Sequence, residues 1–236
     1  MSFVRSWCAA VVGGAADLVW PPVCPVCDEA IEDPVSDRGL HRACFGRLGA
    51  RRELPLAFAV GAAPVHALLA DRPEWFGVLH RVKYGGEFGL LDPFVGALID
   101  ALRDGSSVDG NCVFVPVPDD PVRRRTRGGS VVAALAERLA AGTGARVRHD
   151  LVRRRGTRSS QTEQPDDAAR ERNVDGAFAV GRLAELPART RLVLVDDQAT
   201  SGATLTELLR VVGVRGHACA VVVVARARRT PDLLRP

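Results

Sequence analysis

The stretch from Val193 to Thr204, with the sequence VLVDDQATSGAT, constrains the fold more than any other part of the chain. It begins with a branched apolar run, which is typical of a strand buried on both faces of a parallel sheet. Two adjacent carboxylates, Asp196 and Asp197, follow this run, and an apolar helical pattern then extends to Val212. This order predicts that the acids lie at the carboxyl end of a strand, where open α/β sheets bind their ligands.

The small residues between the acids and the helical pattern predict an anion site. Hydroxyl side chains surround Gly202, whose missing side chain lets backbone N–H groups approach a phosphate at the positive end of a helix. The two carboxylates are suited to accept hydrogen bonds from two ribose hydroxyls, directly or through a Mg²⁺ held mainly by the ligand's own phosphates. The alternative is an ordinary surface turn at a strand end, for which an Asp-Asp pair alone would suffice.

The twelve residues together resemble the signature of type I phosphoribosyltransferases, which bind 5-phosphoribosyl 1-pyrophosphate (PRPP) with Mg²⁺. The resemblance implies that Asp196 and Asp197 face the ribose hydroxyls. It also implies that the 5-phosphate lies on the loop formed by Ala199, Thr200, Ser201, Gly202, Ala203 and Thr204.

Length and composition allow one sizeable core with a small additional module, because 47% of the 236 residues are apolar. The formal net charge is +4, and its carriers are almost all arginine, since Lys83 is the only lysine. No apolar stretch approaches the roughly 20 residues of a membrane span, and residues 1–20 lack a signal-peptide cleavage pattern. We therefore expect a cytoplasmic protein without membrane insertion.

The pattern along the chain predicts a module over residues 1–50 and a larger domain over residues 55–236, separated by a Pro/Gly-rich segment at 55–64. The larger domain alternates helical and strand patterns, which predicts an α/β fold with a doubly wound parallel sheet. Helices are predicted at 75–83, 88–102 and 130–141, and strands at 112–117, 145–151, 192–195 and 221–224. The polar segment 153–175 is predicted to be either an active-site lid or disordered.

Four of the six cysteines fall in the first 50 residues, and they include the spacing C-x2-C-x13-H-x2-C. Two short-spaced pairs of this kind can close a tetrahedral site around a structural Zn²⁺. The predicted ligands are Cys24, Cys27, His41 and Cys44. Two alternatives remain: free thiols beside an unrelated histidine, or Cys8 in place of His41.

The order of five features resembles the ComF family, which has a phosphoribosyltransferase domain and is associated with DNA uptake in competent bacteria. The cysteine pairs are followed by RVKYGG at 81–86, by VPVPDDPVRRRTRG at 115–128, by RGT at 155–157 and by the PRPP signature. This resemblance implies that the cysteine module binds zinc and that a second group of residues contacts PRPP or its pyrophosphate. That group consists of Lys83, Tyr84, Arg123, Arg125 and Arg127.

The chain departs from that family at Gly129-Ser130-Val131, where Phe-Asn-Gln is common, so these residues either bind an acceptor or serve packing. Two functional hypotheses follow. The first is an enzyme that transfers phosphoribosyl from PRPP to a nitrogen acceptor, although no general base is evident. The second is a sensor of PRPP or nucleotide, or an accessory protein that binds single-stranded DNA and DNA-uptake proteins. Aromatic and basic residues do not alternate as in a base-stacking surface, so DNA contact depends on the resemblance. A purely structural adaptor would not need the acid pair.

Overall fold

A computed structural model describes the protein over residues 23–31, 40–44, 56–60, 63–70, 76–104, 108, 111–119, 129–155, 176–187, 190–199, 202–213, 217 and 219–226. In the first half, the elements are β1 (Leu56–Val60), β2 (Ala63–Ala70), α1 (Phe76–Gly85), a 3₁₀ helix (Phe88–Leu91), α2 (Asp92–Asp104) and β3 (Cys112–Pro116). The second half contains α3 (Val131–Thr143), β4 (Arg146–Val147), β5 (Val152–Arg154), β6 (Phe178–Val180), a 3₁₀ helix (Arg182–Glu185), β7 (Arg191–Ala199), α4 (Ala203–Gly213) and β8 (Cys219–Arg226).

The main sheet has six strands in the order β1-β2-β8-β7-β3-β4. Five strands, β2, β8, β7, β3 and β4, run parallel to one another, and β1 pairs antiparallel with β2 at one edge. Valine and leucine predominate in the central strands, and Leu192 to Val195 are wholly buried. The prediction of a mostly parallel α/β sheet with buried apolar strands is confirmed.

Two crossover connections run in opposite directions from the centre of this sheet. The chain passes from β3 through α3 outward to β4, and from β7 through α4 to β8 on the other side. Because parallel crossovers are right-handed, α3 and α4 lie on opposite faces of the sheet. The adjacent strands β3 and β7 therefore mark a topological switch point, and their carboxyl ends border a crevice.

Several boundaries differ from the sequence-based predictions. Strand β7 continues through Asp196 and Asp197 to Ala199, whereas the predicted strand ended at residue 195. The strand predicted over 145–151 is limited to Arg146–Val147. The segment predicted as a lid begins inside β5, which pairs antiparallel with β6. Strands β1 and β2 occupy much of the Pro/Gly-rich segment predicted to separate the two domains.

Helix α4 contacts the chain next to β6 through one buried acid. Glu207 is 7% exposed, accepts a hydrogen bond from the Gly176 N–H at 3.1 Å and pairs with Arg210 at 2.7 Å. The hydrogen bonds from Arg210 lower the pKa of Glu207, so the acid is held as a carboxylate. In the described ranges, no helix is both long and apolar enough to cross a membrane.

Candidate functional site at the switch point

The candidate site lies where β3 and β7 end, at the crevice between the two crossovers. Pro116 is in register with Val195, and the Val117 N–H extends the pairing by donating to the Val195 carbonyl at 2.9 Å. The next residue of β7 is Asp196, whose partner on the other side is Val223 of β8. The acid pair therefore begins where the pairing with β3 ends, and the pairing of Asp196 and Gln198 with β8 continues past it on the other side.

The two carboxylates differ in their surroundings. The Asp196 Oδ1 accepts a hydrogen bond from the Asp197 N–H at 2.8 Å, which turns the Asp196 side chain back along its own strand. The Asp197 Oδ2 instead forms an ion pair with the Lys83 ammonium at 3.0 Å. The side chains of Lys83 and Asp197 are 15% and 13% exposed, so this pair is largely shielded from water.

Lys83 reaches the acid pair from the last turn of α1. Its Nζ also donates to the Gln198 Oε1 at 3.3 Å, so the ammonium lies between two neighbouring side chains of β7. The only lysine of the chain thus contacts the strand that carries the acid pair. Tyr84 is placed differently, because its ring is 60% exposed and its centroid lies 4.7 Å from that of His80.

The crevice changes the acidity of one carboxyl strongly. Desolvation and the negative charge of Asp197 raise the pKa of Asp196 from 3.8 to about 8, against the opposing effects of the Asp197 N–H and Lys83. Asp119, which follows β3, contributes a further rise in the pKa through its charge. Asp196 therefore favours its neutral form, while Asp197 is the acid that pairs with Lys83.

This raised pKa predicts how the stability of the ligand-free protein depends on pH. Between pH 4 and pH 8 the folded chain holds a proton on Asp196 that the unfolded chain has lost. The free energy of unfolding therefore falls as pH rises, by about 1.4 kcal/mol per pH unit at most. Above pH 8 the folded chain bears the full cost of ionising Asp196 in its buried position. Asp196→Asn removes this cost while its amide oxygen can still accept from the Asp197 N–H.

We expect Asp196→Asn to be more stable than the wild type at pH 8.5 and to approach wild-type stability near pH 4, as measured by denaturant unfolding. The matched control is Asp150→Asn, because hydrogen bonds from Arg148 lower the pKa of that exposed carboxylate. The control should gain no stability at high pH. A parallel pH profile for Asp196→Asn and the wild type would show that Asp196 is ionised in the folded state.

The predicted phosphate loop connects β7 to α4. Gly202 has a φ of +77°, in the left-handed region that favours glycine, and its carbonyl accepts the first helical hydrogen bond from the Thr206 N–H at 2.8 Å. Ala203 and Thr204 form the first turn of α4, at the positive end of the helix dipole. Ala199 ends the strand and is buried. These features are those of an anion-binding helix terminus.

Several predicted site residues lie outside the described part of the chain. They are Thr200 and Ser201 of the loop, Arg123, Arg125 and Arg127, the segment 156–175 and the alternative zinc ligand Cys8. Among the others, Lys83, Asp196 and Asp197 are in direct contact, and the first turn of α4 follows from the same strand.

The structure assigns local roles to the residues that depart from the ComF pattern. Ser130 caps α3, because its side chain accepts from the Ala133 N–H at 3.0 Å, and Val131 is buried. A Cβ on Gly129 would lie 3.0 Å from Cζ of Phe88, whose ring fills the space beside this glycine. All three positions thus serve capping or packing.

Sequence reasoning did not identify two residues of the site, Gln198 and Asp119. Gln198 contacts Lys83, and Asp119 acts on Asp196 through its charge. Both stand inside motifs that were recognised, DDQ after the β7 run and VPVPDD after the β3 run. Their position at the ends of two strands predicted to be parallel was the available signal.

A second cluster joins the four predicted metal ligands. One ligand atom from each of Cys24, Cys27, His41 and Cys44 lies within 4.8 Å of all the others. The His41 Nε2–H donates to the Ala30 carbonyl at 2.8 Å, which leaves the lone pair of Nδ1 facing the Cys27 Sγ at 3.3 Å. A backbone carbonyl that orients a histidine in this way is typical of zinc sites. Three sulfurs and one oriented imidazole therefore form a group that could hold Zn²⁺.

The backbone around Cys24 favours a metal-binding thiolate. The Asp28 N–H donates to the Cys24 carbonyl and the Cys24 N–H to the Glu29 carbonyl, which closes a tight turn between Val23 and Ala30. Burial opposes ionisation of Cys24, but hydrogen bonds from nearby backbone N–H groups lower the pKa of this thiol to about 7. Because metals bind the thiolate, this turn prepares Cys24 to act as a ligand.

No family model and no curated protein matches the chain. The solved structures that are similar to it in part include two enzymes. The allosteric regulatory enzyme of purine biosynthesis shares 23% identity over 56% of this chain and 25% of its own, with a TM-score of 0.33. The adenine phosphoribosyltransferase of Leishmania tarentolae shares 11% identity over 62% of this chain and 74% of its own, with a TM-score of 0.39. This chain thus spans a quarter of the length of the first enzyme. At these TM-scores neither likeness assigns an activity.

Proposed function

We propose that the chain binds PRPP together with Mg²⁺ and transfers its phosphoribosyl group to a nitrogen acceptor, with release of pyrophosphate. One juxtaposition carries this proposal. Strand β7 places two adjacent carboxylates at a switch-point crevice. Five positions after Asp197, Gly202 precedes the first turn of helix α4. Acids for two ribose hydroxyls and N–H groups for a 5-phosphate are thus supplied by one strand-helix connection.

The described side chains, taken together with the sequence motifs that lie outside the described residues, suggest a division of roles. Asp196 and Asp197 bind the ribose hydroxyls, and the loop from Ala199 to Thr204 holds the 5-phosphate. Lys83 forms an ion pair with Asp197 and adds positive charge near the leaving group. Arg123, Arg125 and Arg127 are proposed to contact the pyrophosphate, because guanidinium groups bind phosphate oxygens bidentately.

The acid pair fits a cation that arrives with its ligand better than a cation held by the protein alone. Burial favours the neutral form of Asp196, and Asp197 is paired with Lys83, so few oxygen ligands are free for a bare ion. Mg²⁺ commonly keeps several waters and is held by one or two carboxylates plus substrate phosphates. When bound, it would neutralise pyrophosphate charge while the acids orient the ribose.

The proposed transfer breaks the bond between the anomeric carbon and the pyrophosphate oxygen, and pyrophosphate leaves with the electron pair. The lone pair of the acceptor nitrogen forms the new bond to the same carbon, and any proton on that nitrogen passes to solvent. A rigid crevice favours this step by fixing ribose and leaving group before the acceptor attacks. Charge that develops on the leaving oxygens is stabilised by the basic side chains.

The motif order also supports a proposal of ComF-family membership, with a role in DNA uptake and single-stranded DNA as a partner. One experiment separates these possibilities. The protein is incubated with Mg²⁺-PRPP and a panel of purine and pyrimidine bases, and pyrophosphate is measured. We expect base-dependent release with at least one acceptor. PRPP binding without release would indicate a sensor, whereas binding of single-stranded DNA alone, weakened by salt, would indicate a DNA-binding accessory protein.

A further inference from the structure

Helix α1 lies between the cysteine cluster and the acid pair, and its backbone contacts the turn that carries Cys24 and Cys27. A Cβ on Gly77 would lie only 2.4 Å from the Pro25 carbonyl oxygen, so the two backbones touch at this point. Any larger residue would push the turn away from the helix. Cys24 and Cys44 also belong to the same continuous apolar core as Val78 and Val82 of α1.

Arg81 makes the second connection between α1 and the cysteine turn. Its Nη1 donates to the Val23 carbonyl at 2.8 Å, directly before Cys24. Its Nε and Nη2 donate to the two carboxylate oxygens of Glu87 at 2.7 and 2.5 Å. One guanidinium therefore joins the start of the cysteine turn, the last turns of α1 and the segment after that helix.

Lys83 stands two residues beyond Arg81 on the same helix, and its ammonium contacts Asp197 and Gln198. The position of this ammonium depends on where the end of α1 lies relative to β7. The cysteine turn contacts α1 at both of its halves, through Gly77 in the first turn and through Arg81 near the end. Closing the Cys/His cluster around a metal would hold that turn in one conformation.

We propose that Arg81 is a positioning residue, through which the metal-closed cysteine cluster holds Lys83 on Asp197. The chain of contacts runs from Val23 through Arg81 to α1, and from Lys83 to Asp197. If Asp197 binds PRPP, displacing Lys83 from it should also change the affinity for PRPP, and this last step rests on the proposed function. The steps before it concern only the position of Lys83 and can be tested without any ligand.

Lys83 offers a direct readout, because it is the only lysine of the chain. An amine-acylating reagent therefore labels one side-chain amine, that of Lys83. Mass spectrometry distinguishes the peptide that carries labelled Lys83 from the peptide that carries the labelled amino terminus. In the wild type the reagent must displace Asp197 to reach an ammonium that is 15% exposed. We expect slow labelling of the zinc-loaded protein and labelling at least about fivefold faster after the zinc is removed with a chelator. This change corresponds to a loss of about 1 kcal/mol in the free energy that holds Lys83 on Asp197.

The test variants are Arg81→Ala and Gly77→Ala. Both should label quickly even with zinc bound, and neither should respond to zinc removal as the wild type does. The matched controls are Arg103→Ala, which removes an arginine that donates to the Gly142 carbonyl, and Gly96→Ala, where an added Cβ meets nothing within 4 Å. Both controls should behave like the wild type. Circular dichroism and zinc content are recorded for every sample, so that labelling is compared only among folded proteins.

The proposal is overturned if zinc removal leaves the labelling rate of the folded wild type unchanged, or if Arg81→Ala responds to zinc as the wild type does. Affinity for Mg²⁺-PRPP is measured separately on the same samples. A labelling response without any PRPP binding would support the positioning role and contradict the proposed function. PRPP binding without a labelling response would support the proposed function and contradict the positioning role.

Discussion

Replacing Asp196 and Asp197 together by asparagine is expected to weaken Mg²⁺-PRPP binding by at least about 100-fold. In the proposed complex the positive charge of Mg²⁺ favours the ionised form of both acids, and each carboxylate that accepts a hydrogen bond from a ribose hydroxyl contributes about 1.5 to 3 kcal/mol, so two such bonds correspond to a factor of 100 or more. Asparagine keeps one oxygen acceptor but adds a donor, removes the charge at position 197 and prevents ionisation at position 196 when the ligand binds. Isothermal calorimetry at pH 7.5 measures the effect directly.

A loss of binding in this double variant has to be distinguished from a loss of folding. Desolvation of Asp196 favours its neutral form, so asparagine is tolerated there, whereas Asp197→Asn leaves the Lys83 ammonium without its carboxylate. The thermal midpoint should therefore be recorded for both single variants. Asp150→Asn, at an exposed carboxylate paired with Arg148, is the matched control and should bind PRPP like the wild type. Wild-type affinity in the double variant would exclude the acid pair as the ribose site.

The second large effect is expected at the cysteine cluster. Cys24→Ser should reduce the zinc content from about one ion per chain to near zero, because a serine hydroxyl is a poor ligand at neutral pH. Cys24 is wholly buried within the apolar core, so the loss of metal should also destabilise the surrounding fold. Structural zinc contributes folding free energy directly, and we expect Tm to fall by about 10 °C or more.

Cys219→Ser is the control for this experiment. Cys219 lies on β8, and burial raises the pKa of its thiol to about 11, so it remains a neutral thiol at physiological pH. This variant should keep its zinc, which is measured by inductively coupled plasma mass spectrometry on dialysed protein. Unchanged zinc content in Cys24→Ser would contradict the proposed ligand set of Cys24, Cys27, His41 and Cys44.

Local patterns were sufficient to predict the centre of the fold and of the candidate site. The apolar run before Asp196 predicted a buried parallel strand, and the helical periodicity after Gly202 predicted α4, because both depend on neighbouring residues. The spacing of the cysteines predicted a cluster that the folded chain assembles. These features follow from residue type and spacing.

Features that depend on distant partners could not be predicted in this way. Lys83 and Gln198 are 115 residues apart, and only the folded sheet brings the helix end to β7. Arg153 and Arg154 were assigned to a polar segment, yet both belong to β5, where the Arg154 guanidinium lies 5.5 Å from the Phe178 ring centroid. A two-residue strand such as β4 carries too little periodicity for its ends to be predicted from sequence, so the strand predicted over 145–151 is too long.

The central claim is that β7 and the start of α4 recognise a phosphorylated ribose. Calorimetric titration of the zinc-loaded wild type with PRPP in the presence of Mg²⁺ tests it most directly, with ribose 5-phosphate as a competitor for the same site. We predict saturable binding of one PRPP per chain that ribose 5-phosphate weakens. The absence of heat and of competition over millimolar concentrations, in protein shown to be folded and zinc-loaded, would contradict the claim.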